Sequence, residues 1–355
     1  MAETMKTSLE GMVCPVPLQH QERIVQGHGS GGKLMHDLIA KYFVAAWDNP
    51  MLNAGNDASV IATQGAARMA VSTDAHVVTP LFFPGGDIGR LAVCGTVNDV
   101  AMLGARPLYL TASFILEEGL EIATLEKVVA SMHAAAQEAG VQIVAGDTKV
   151  VGKGMADGMY ISTTGVGLLA EDTRIHGAAA QPGDLVIVSG SLGDHGIAVL
   201  AARGELGFDT DLVSDVAPLN GLIAEMLEAS QNIHVLRDPT RGGLATTLNE
   251  IARQSKAGIV VKESALPIKP AVDAACELLG FDPLYIANEG KLVAVVGRED
   301  GERVLEAMRK HKYGKDAALI GEVVAEPAGR VLMQTLIGSH RLVDELMGEL
   351  LPRIC

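Results

Sequence analysis

Short apolar runs alternate with longer segments whose apolar residues recur at helical spacing, and this pattern covers most of the chain. It predicts strands at 68–74, 108–116, 141–145, 159–168, 185–189 and 292–296. It predicts helices after residue 33, over 86–104, over 124–139 with Thr124 as cap, over 197–202 and after residue 243. Strands and helices in alternation are typical of an α/β or α+β protein.

The alternation also predicts how the chain is divided. A length of 355 residues suits two domains. The first run of elements ends near residue 170, and a Gln-Pro-Gly-Asp turn at 181–184 precedes the second. We therefore predict a flexible extension over 1–23, an N-terminal domain over 24–170, a C-terminal domain over 171–340, and a flexible tail over 341–355.

The last six residues, Leu-Leu-Pro-Arg-Ile-Cys, end the chain in a thiol. Pro352 removes a backbone donor and disfavours a continuing helix, so an extended arm is predicted. A cysteine thiolate is a strong nucleophile and can hold a one-carbon group as a thioester-like adduct. The alternative is an ordinary frayed terminus that happens to end in cysteine.

Charge and cysteine usage narrow the class of protein. The formal net charge of −15 argues against a nucleic-acid binder, but not against a nucleotide substrate escorted by magnesium. The four cysteines, which include Cys14, are far apart and form no zinc or disulfide pattern, so we expect a reducing compartment. The sequence contains no apolar run long enough to span a membrane, and its N-terminus does not have the pattern of a secretory signal. We therefore expect a cytoplasmic protein.

A glycine-rich turn at 27–33 opens a predicted helix. Free backbone N–H groups and the positive end of a helix would suit an anion there. The spacing imitates a Walker A loop, but Leu34 stands where that motif needs Ser or Thr, so we reject that assignment. A phosphate contact of another kind and a simple hinge both remain open.

Several carboxylates stand where strands or helices present ligands. Asp57 and Asp74 are predicted at strand ends, and Asp238 is predicted in a loop that opens a helix. Asp99 lies four residues after Gly95 on one helix face, among apolar neighbours, where burial is costly without a partner or a cation. Each aspartate alone fits a salt bridge or a solvent-facing position equally well.

Two further stretches carry polar side chains beside predicted strands. Asp147, Thr148 and Lys149 follow the apolar run 141–145, which is where α/β folds place chemistry. Glu289 precedes a glycine just before the strand 292–296. It is either a turn residue or an acid directed at a site.

Taken together, these stretches resemble the HypE family of hydrogenase maturation factors, which are carbamoyl dehydratases of the PurM-like ATP-binding superfamily. The matching stretches are HGSGG at 28–32, STD at 72–74, LFFPGG at 81–86, NDV at 98–100, FILEEG at 114–119, GDTKVV at 146–151, DPTRGG at 238–243, NEGK at 288–291 and PRIC at 352–355. The resemblance covers residues 24 to 355, and the N-terminal extension is its main departure.

The resemblance implies a homodimer whose N-terminal domains share a β-barrel, with ATP bound between domains. It implies that Cys355 accepts a carbamoyl group from the carbamoyltransferase HypF, becomes a thiocyanate, and passes cyanide to a HypC–HypD complex. Lys149 and Glu289 would act on the carboxamide. Gly31 and Gly32 would contact phosphate, and Asp147 and Thr148 would contact the nucleotide. The implied Mg²⁺ ligands are Asp57, Asp74, Asp99 and Asp238.

Two alternatives stand beside this interpretation. One is another enzyme of the superfamily, such as a selenophosphate synthetase, an aminoimidazole ribonucleotide synthetase or a thiamine-phosphate kinase. A selenophosphate synthetase would be expected to carry a reactive Cys with a nearby Lys shortly before the glycine-rich loop. Cys14 precedes that loop but is followed by Pro-Val-Pro, so it matches this pattern poorly. The other is a non-catalytic carrier that only presents Cys355 to a partner.

Overall fold

The computed structural model describes residues 24, 28, 31–63, 68–204 and 210–345. Up to residue 169 its helices are α1 Lys33–Leu38, continued by a π-helical segment Ile39–Val44, then α2 Ala45–Trp47, α3 Pro50–Asn53, α4 Ile88–Met102 and α5 Ile122–Ala139. The strands are β1 Ser59–Ala62, β2 Arg68–His76, β3 Phe82–Phe83, β4 Gly86–Asp87, β5 Arg106–Glu117, β6 Gln142–Val151 and β7 Met159–Leu169. Five of these strands form one sheet in the order β1-β2-β7-β5-β6.

A second sheet holds seven strands in the order β14-β13-β10-β12-β8-β11-β9. These are β8 Leu185–Val188, β9 Ile233–Arg237, β10 Gly258–Lys262, β11 Val293–Val296, β12 Ala318–Val324, β13 Val331–Gln334 and β14 His340–Val343. The helices of this part are α6 Asp194–Ala202, α7 Asn220–Ala229, α8 Gly243–Ser255, α9 Pro270–Leu279 and α10 Gly301–Lys310. Pairing is mostly antiparallel in both sheets, so the fold is α+β; β5 with β6 and β10 with β13 are parallel pairs.

The helix α4 connects the two sheets. It is rich in Ala, Val and Gly, and nearly every residue in it is buried, which is expected of a helix that is apolar on all sides. Asp87 caps it and accepts hydrogen bonds from the N–H groups of Gly89 and Arg90 at 2.7 and 3.2 Å. At its other end Ala101 and Met102 pack into a cluster with α7 and the second sheet, so both halves share this part of the core.

Most predicted elements are present, with three differences. Strand β6 runs on to Val151, so Asp147 and Lys149 lie within a strand, whereas we expected them to follow one. Asp74 lies inside β2, two residues before its end. Glu121, not Thr124, precedes the first residue of α5, and its side chain makes no capping hydrogen bond. Within the ranges described, no helix combines the length and the apolar character that a membrane span requires.

A buried histidine near the start of α6 gives the fold a predictable pH dependence. His195 is fully buried, its Nδ1 lies 2.8 Å from the hydroxyl of Ser214, and the Phe83 ring packs edge-on against it. Burial lowers the pKa of His195 to about 4. The unfolded chain, with a histidine pKa near 6.5, therefore binds the proton more readily than the folded chain does.

We accordingly predict that the free energy of unfolding falls by about 2 kcal/mol through His195 as pH drops from 7 to 5, and that this loss levels off below pH 4. Urea denaturation across this pH range measures it. A His195→Asn variant should lose that component of the slope, while His133→Asn, at an exposed position on α5, should keep it. Parallel pH profiles for wild type and His195→Asn would contradict the assignment.

Candidate active site

An acidic pocket lies where β2 and α4 face loops of the second half of the chain. Its walls are formed by Asp74, Ala75, His76, Leu91, Gly95, Asp99, Asp238, Thr240, Arg241 and Glu289. Gly95 allows this approach, because a Cβ there would lie 3.5 Å from Asp74 Oδ2 and 3.1 Å from the His76 ring. Three of the four predicted metal carboxylates and the predicted catalytic Glu289 therefore line one pocket.

The carboxylates of the pocket repel one another. Asp99 accepts a hydrogen bond of 2.7 Å from Ser72, but burial and the neighbouring charges of Asp238 and Asp74 raise its pKa well above the usual range. Burial, followed by the charge of Asp57, raises the pKa of Asp238 to about 8. Arg241, which also lines the pocket, lies 3.9 Å from Asp74 and offsets part of this negative charge. A set of oxygen donors with an excess of acids over bases fits a hard divalent cation.

The fourth carboxylate, Asp57, is held by an ion-pair chain. Arg237 lies 3.0 Å from Asp57 and 2.8 Å from Glu250, and Glu250 lies 3.0 Å from His36 on α1. Burial raises the pKa of Asp57, and the Arg237 guanidinium opposes that shift. In the described part of the chain, no three His, Cys, Asp or Glu side chains lie close enough together to hold a metal ion by themselves.

Gly31, in the described part of the glycine-rich stretch, lies against the 238–243 loop. It has a φ of +78°, and a Cβ on it would come within 2.8 Å of the backbone oxygen and the Cβ of Arg241. A larger residue would therefore be strained there and would push Arg241 away. Gly32 precedes the first residue of α1. One of the two glycines that we predicted for phosphate contact thus lies beside the loop that carries Asp238.

The 288–291 stretch joins the loops around the pocket. Asn288 accepts a hydrogen bond of 2.7 Å from the Gly193 N–H, and its amide donates to the Pro239 carbonyl at 2.9 Å. Glu289 is only 7% exposed and lies in the pocket wall. Lys291 pairs with the buried Asp215 at 3.0 Å.

Asp147, Thr148 and Lys149 lie away from this pocket. Asp74 is in register with Thr163, Thr163 with Ala112, and Ala112 with Gly146. Strand β6 is therefore three strand spacings, about 14 Å, from Asp74. Side chains alternate along a strand, so Asp147 and Lys149 project from the opposite face of the sheet. They are 63% and 72% exposed and pair with each other at 3.0 Å.

The cysteines differ in position and reactivity. Cys355 and Cys14 lie outside the described residues. Cys94 and Cys276 are buried, and burial raises the pKa of their thiols to about 12 and about 11. A thiol is a poor nucleophile when its thiolate is so disfavoured. Neither of these two cysteines is therefore suited to nucleophilic chemistry.

Sequence reasoning did not single out the charges that support the site. Arg237 forms ion pairs with both Asp57 and Glu250. Asp215 pairs with Lys291 and accepts a hydrogen bond from the Glu289 N–H. Burial, the largest single influence, raises the pKa of Asp215, but the Lys291 ammonium, His195 and the hydrogen bond from the Glu289 N–H together bring it below its usual value. One signal was available: Arg237 and Lys291 each stand within two residues of a predicted site acid, where a buried carboxylate would need a cation.

The fold and the pocket match one class of proteins. The model of the AIR synthase related protein N-terminal domain matches residues 55–169, and that of the C-terminal domain matches residues 181–334. The chain is thus a two-part AIR synthase related protein of the PurM-like type. This confirms the predicted fold class.

Individual relatives narrow the class further. The carbamoyl dehydratase HypE of Cupriavidus necator is 57% identical over 94% of this chain and 95% of its own. A crystal structure of a HypE–HypF complex matches with a TM-score of 0.83 and 52% identity, covering 87% of this chain and 99% of that one. A HypE structure in complex with ATP matches with a TM-score of 0.78 and 52% identity, covering 94% and 100%. This chain belongs to the HypE family of carbamoyl dehydratases, as the sequence predicted.

We predict that Arg237→Met destabilises the fold by about 3–5 kcal/mol, because it leaves the partly buried carboxylates of Asp57 and Glu250 near each other without the guanidinium that pairs with both. Arg298→Met is the matched control, since Arg298 also pairs with a carboxylate, that of Glu322, but is 58% exposed. The control should cost less than about 1 kcal/mol. Urea titration of both variants measures the difference. Equal losses of unfolding free energy would show that the ion pairs of Arg237 contribute no more to stability than an exposed ion pair does.

Proposed function

We propose that this chain uses ATP to dehydrate a carbamoyl group carried on Cys355 to a thiocyanate. The product would supply the cyanide ligand for the iron of a nickel–iron hydrogenase active site. The observation that carries the proposal is that Glu289 shares one pocket with Asp74, Asp99 and Asp238, in a chain whose relatives are named carbamoyl dehydratases. A base beside a set of cation-binding acids is what an ATP-dependent dehydration requires.

The chemistry begins with the thiocarbamate on Cys355. Its carboxamide oxygen attacks the γ-phosphorus of ATP, the co-substrate, and ADP leaves. A base removes one N–H proton, which gives an O-phosphorylated imidate. The C–O bond then breaks, phosphate departs with the electron pair, and loss of the second N–H proton leaves S–C≡N. Overall, thiocarbamate and ATP give thiocyanate, ADP, phosphate and a proton.

Glu289 is the proposed proton acceptor. Its side chain is nearly buried in the pocket wall, where water is largely excluded from the carboxylate. Proton transfer by a positioned carboxylate contributes about 10²–10⁴-fold to a rate. Lys149 is the proposed group for stabilising negative charge that develops on the carboxamide. Either residue could serve as the proton acceptor, and the Glu289→Gln variant described below tests Glu289 directly.

Magnesium is proposed to bind at the acidic pocket. The donor set fits, since Asp99 and Asp238 repel each other and share their surroundings with Asp74 and Asp57. Because these residues form no complete cage of their own, further ligands would come from phosphate oxygens and water, which Mg²⁺ commonly retains. When bound, the ion would neutralise the phosphates of ATP. The N–H groups at Gly31 and Gly32 are proposed to contact the phosphates.

A homodimer is proposed on two features of the first sheet. Strand β6 is an edge strand with exposed side chains along nearly its whole length. The sheet face away from α4 also exposes large apolar side chains, among them Tyr109 and Ile115 at 46% and 42%. Uncovered edges and apolar faces of this kind favour association with a second copy. A barrel shared by two such sheets would cover both.

The dimer also bears on the predicted nucleotide contacts. Asp147 and Lys149 are directed away from the acidic pocket of their own chain, and Thr148 lies on the far edge strand. If these three residues serve the same nucleotide as Asp99, they must do so from the second copy. We therefore propose that each active site takes its β6 residues from the partner subunit.

Other assignments follow from the proposed reaction. HypF is the proposed carbamoyl donor, since one structural relative is a HypE–HypF complex. A HypC–HypD complex is the proposed cyanide acceptor, and the cytoplasm is the proposed location. The boundaries at 24–170 and 171–340 are kept as proposed domains. Because β14 His340–Val343 pairs with β13 in the second sheet, the tail proposed for 341–355 is limited to the residues after Val343.

The test of the reaction uses wild type and Cys355→Ala, each given ATP, magnesium and the carbamoyl donor. Mass spectrometry of the wild-type C-terminal peptide should show carbamoylation followed by loss of one water, and Cys355→Ala should gain neither. An adduct on Cys14, Cys94 or Cys276 in the wild type would refute the tail assignment. A carrier would keep the carbamoyl group and show no ATP hydrolysis.

Glu289→Gln should stall at the carbamoylated form, because the amide cannot accept the proton. The same intact-mass measurement follows it. Glu299→Gln, in the exposed turn before α10, is the matched control and should turn over like wild type. Normal dehydration by Glu289→Gln would remove Glu289 from the mechanism.

The dimer proposal predicts that Ile115→Asp, which puts a charge on the exposed sheet face, shifts the particle mass from twice the chain mass of 37.1 kDa to that of one chain. Leu278→Asp on α9, at a position 69% exposed, should leave the mass unchanged. Light scattering after size exclusion measures both. A wild type that is already monomeric would refute the shared barrel.

A further inference from the structure

Among the described residues to which we assign a role in proton transfer or charge stabilisation, Glu289 lines the acidic pocket and Lys149 does not, and the backbone of Glu289 is held from two directions. Its N–H donates to Asp215 Oδ1 at 3.0 Å. Its carbonyl accepts a longer contact of 3.5 Å from the side-chain amide of Asn98, the residue before Asp99 on α4. The orientation of Glu289 therefore depends on groups that lie outside the pocket lining.

Both holding groups are themselves fixed and buried. The Asp215 side chain is 3% exposed, and its other oxygen lies 3.0 Å from Lys291 Nζ, a side chain 12% exposed. Asn98 is 1% exposed, donates to the Ala217 carbonyl at 3.0 Å and accepts from the Leu219 N–H at 2.8 Å. A single connector, residues 215–219, thus holds Glu289 directly through Asp215 and indirectly through Asn98.

Packing around Gly290 makes this arrangement tight. A Cβ on Gly290 would lie 1.7 Å from the Asp215 carbonyl oxygen and 3.0 Å from the Ala217 nitrogen. A Cβ on Gly190 would likewise lie 3.1 Å from Lys291 Cε, so the lysine stem is also enclosed. The 288–291 loop is therefore pressed against the connector, and it has little room to take another conformation.

Stability alone does not explain the buried Asp215–Lys291 ion pair. An ion pair this deeply buried commonly contributes little net stability, since hydrophobic replacements of such pairs are often neutral or stabilising. A pair that orients a reacting group can be useful for another reason, because catalysis depends on geometry held to within fractions of an ångström.

We propose that Asp215, paired with Lys291, is a positioning residue that fixes Glu289 for proton transfer, and that Asn98 is a second positioning residue. The inference rests on the proposed function of Glu289 and deepens it. Asp215 acts by accepting the Glu289 N–H, and Lys291 acts by holding the carboxylate in place. Neither side chain is assigned a contact with substrate.

Two matched double variants separate the hydrogen bond from the charge pair. Asp215→Asn/Lys291→Met removes both charges but keeps a side-chain oxygen that accepts the Glu289 N–H. Asp215→Leu/Lys291→Met removes both charges and the acceptor as well. Leucine and asparagine are similar in size, and neither variant leaves a lone buried charge, so both are expected to fold.

Hydrogen exchange of the Glu289 amide is the first readout, and it is independent of activity. We expect exchange about tenfold or more faster in the leucine variant than in the asparagine variant. Dehydration after carbamoylation by the donor is the second readout. Both variants lack Lys291, so the comparison is between the two: the leucine variant should have a kcat about tenfold below that of the asparagine variant, the scale of one hydrogen bond, with the same KM for ATP.

The outcomes are distinct. Equal exchange of the Glu289 amide in both variants overturns the inference, whatever their activities. Faster exchange in the leucine variant with an equal kcat in both shows that the bond exists but does not serve the reaction, which overturns it too. A wild type that exchanges slowly yet never dehydrates its thiocarbamate would instead refute the proposed function.

Discussion

Repulsion among partly buried carboxylates is the constraint around which this structure is organised. Asp57, Asp74, Asp99 and Asp238 come from four separate segments; the charges of Asp57, Asp74 and Asp238 raise the cost of ionising Asp99, and those of Asp57 and Asp74 do the same for Asp238. Folding brings these charges together although each is more stable alone in water. In our proposal, a divalent cation that binds the phosphates of ATP offsets this repulsion.

Much of the surrounding structure compensates for this charge. Arg237 stands between Asp57 and Glu250, and Glu250 continues to His36 on the helix that follows the glycine-rich loop. On the other side of the pocket Lys291 neutralises Asp215 directly below Glu289. Arg237 and Lys291 pair with acids outside the pocket lining, whereas Arg241 lines the pocket with Asp74, Asp99, Asp238 and Glu289. Close glycine contacts at Gly31 and Gly290 let the loops approach near enough for this.

The two faces of the first sheet carry different kinds of residues. The face toward α4 carries Ser72, Asp74 and Thr163, which build the pocket wall and its support. The opposite face carries Ile115, Asp147 and Lys149 and is uncovered in a single chain. An exposed apolar sheet face of this kind favours association with a neighbouring molecule. In our proposal that neighbour is a second copy of the chain. It covers this face, and the β6 residues of each copy complete the active site of the other.

By itself the sequence determined the family, the fold class and most of the elements. Glycine-rich stretches, apolar periodicity and the positions of acids next to strands are local features, and local features survive in a linear pattern. It also indicated Glu289 and the aspartates, because a carboxylate among apolar residues needs a reason to be there. What it could not decide was which residues meet.

Only the tertiary structure placed Asp147 and Lys149 on the far face of the sheet, since strand order and register are long-range properties that no segment of β6 encodes alone. Only the structure brought Arg237 to Asp57 and Asp215 to Glu289, across more than seventy residues of chain in each case. Pairing between distant charges depends on how the two halves pack around α4. For that reason the acids of this protein could be predicted from the sequence, and the cations that hold them could not.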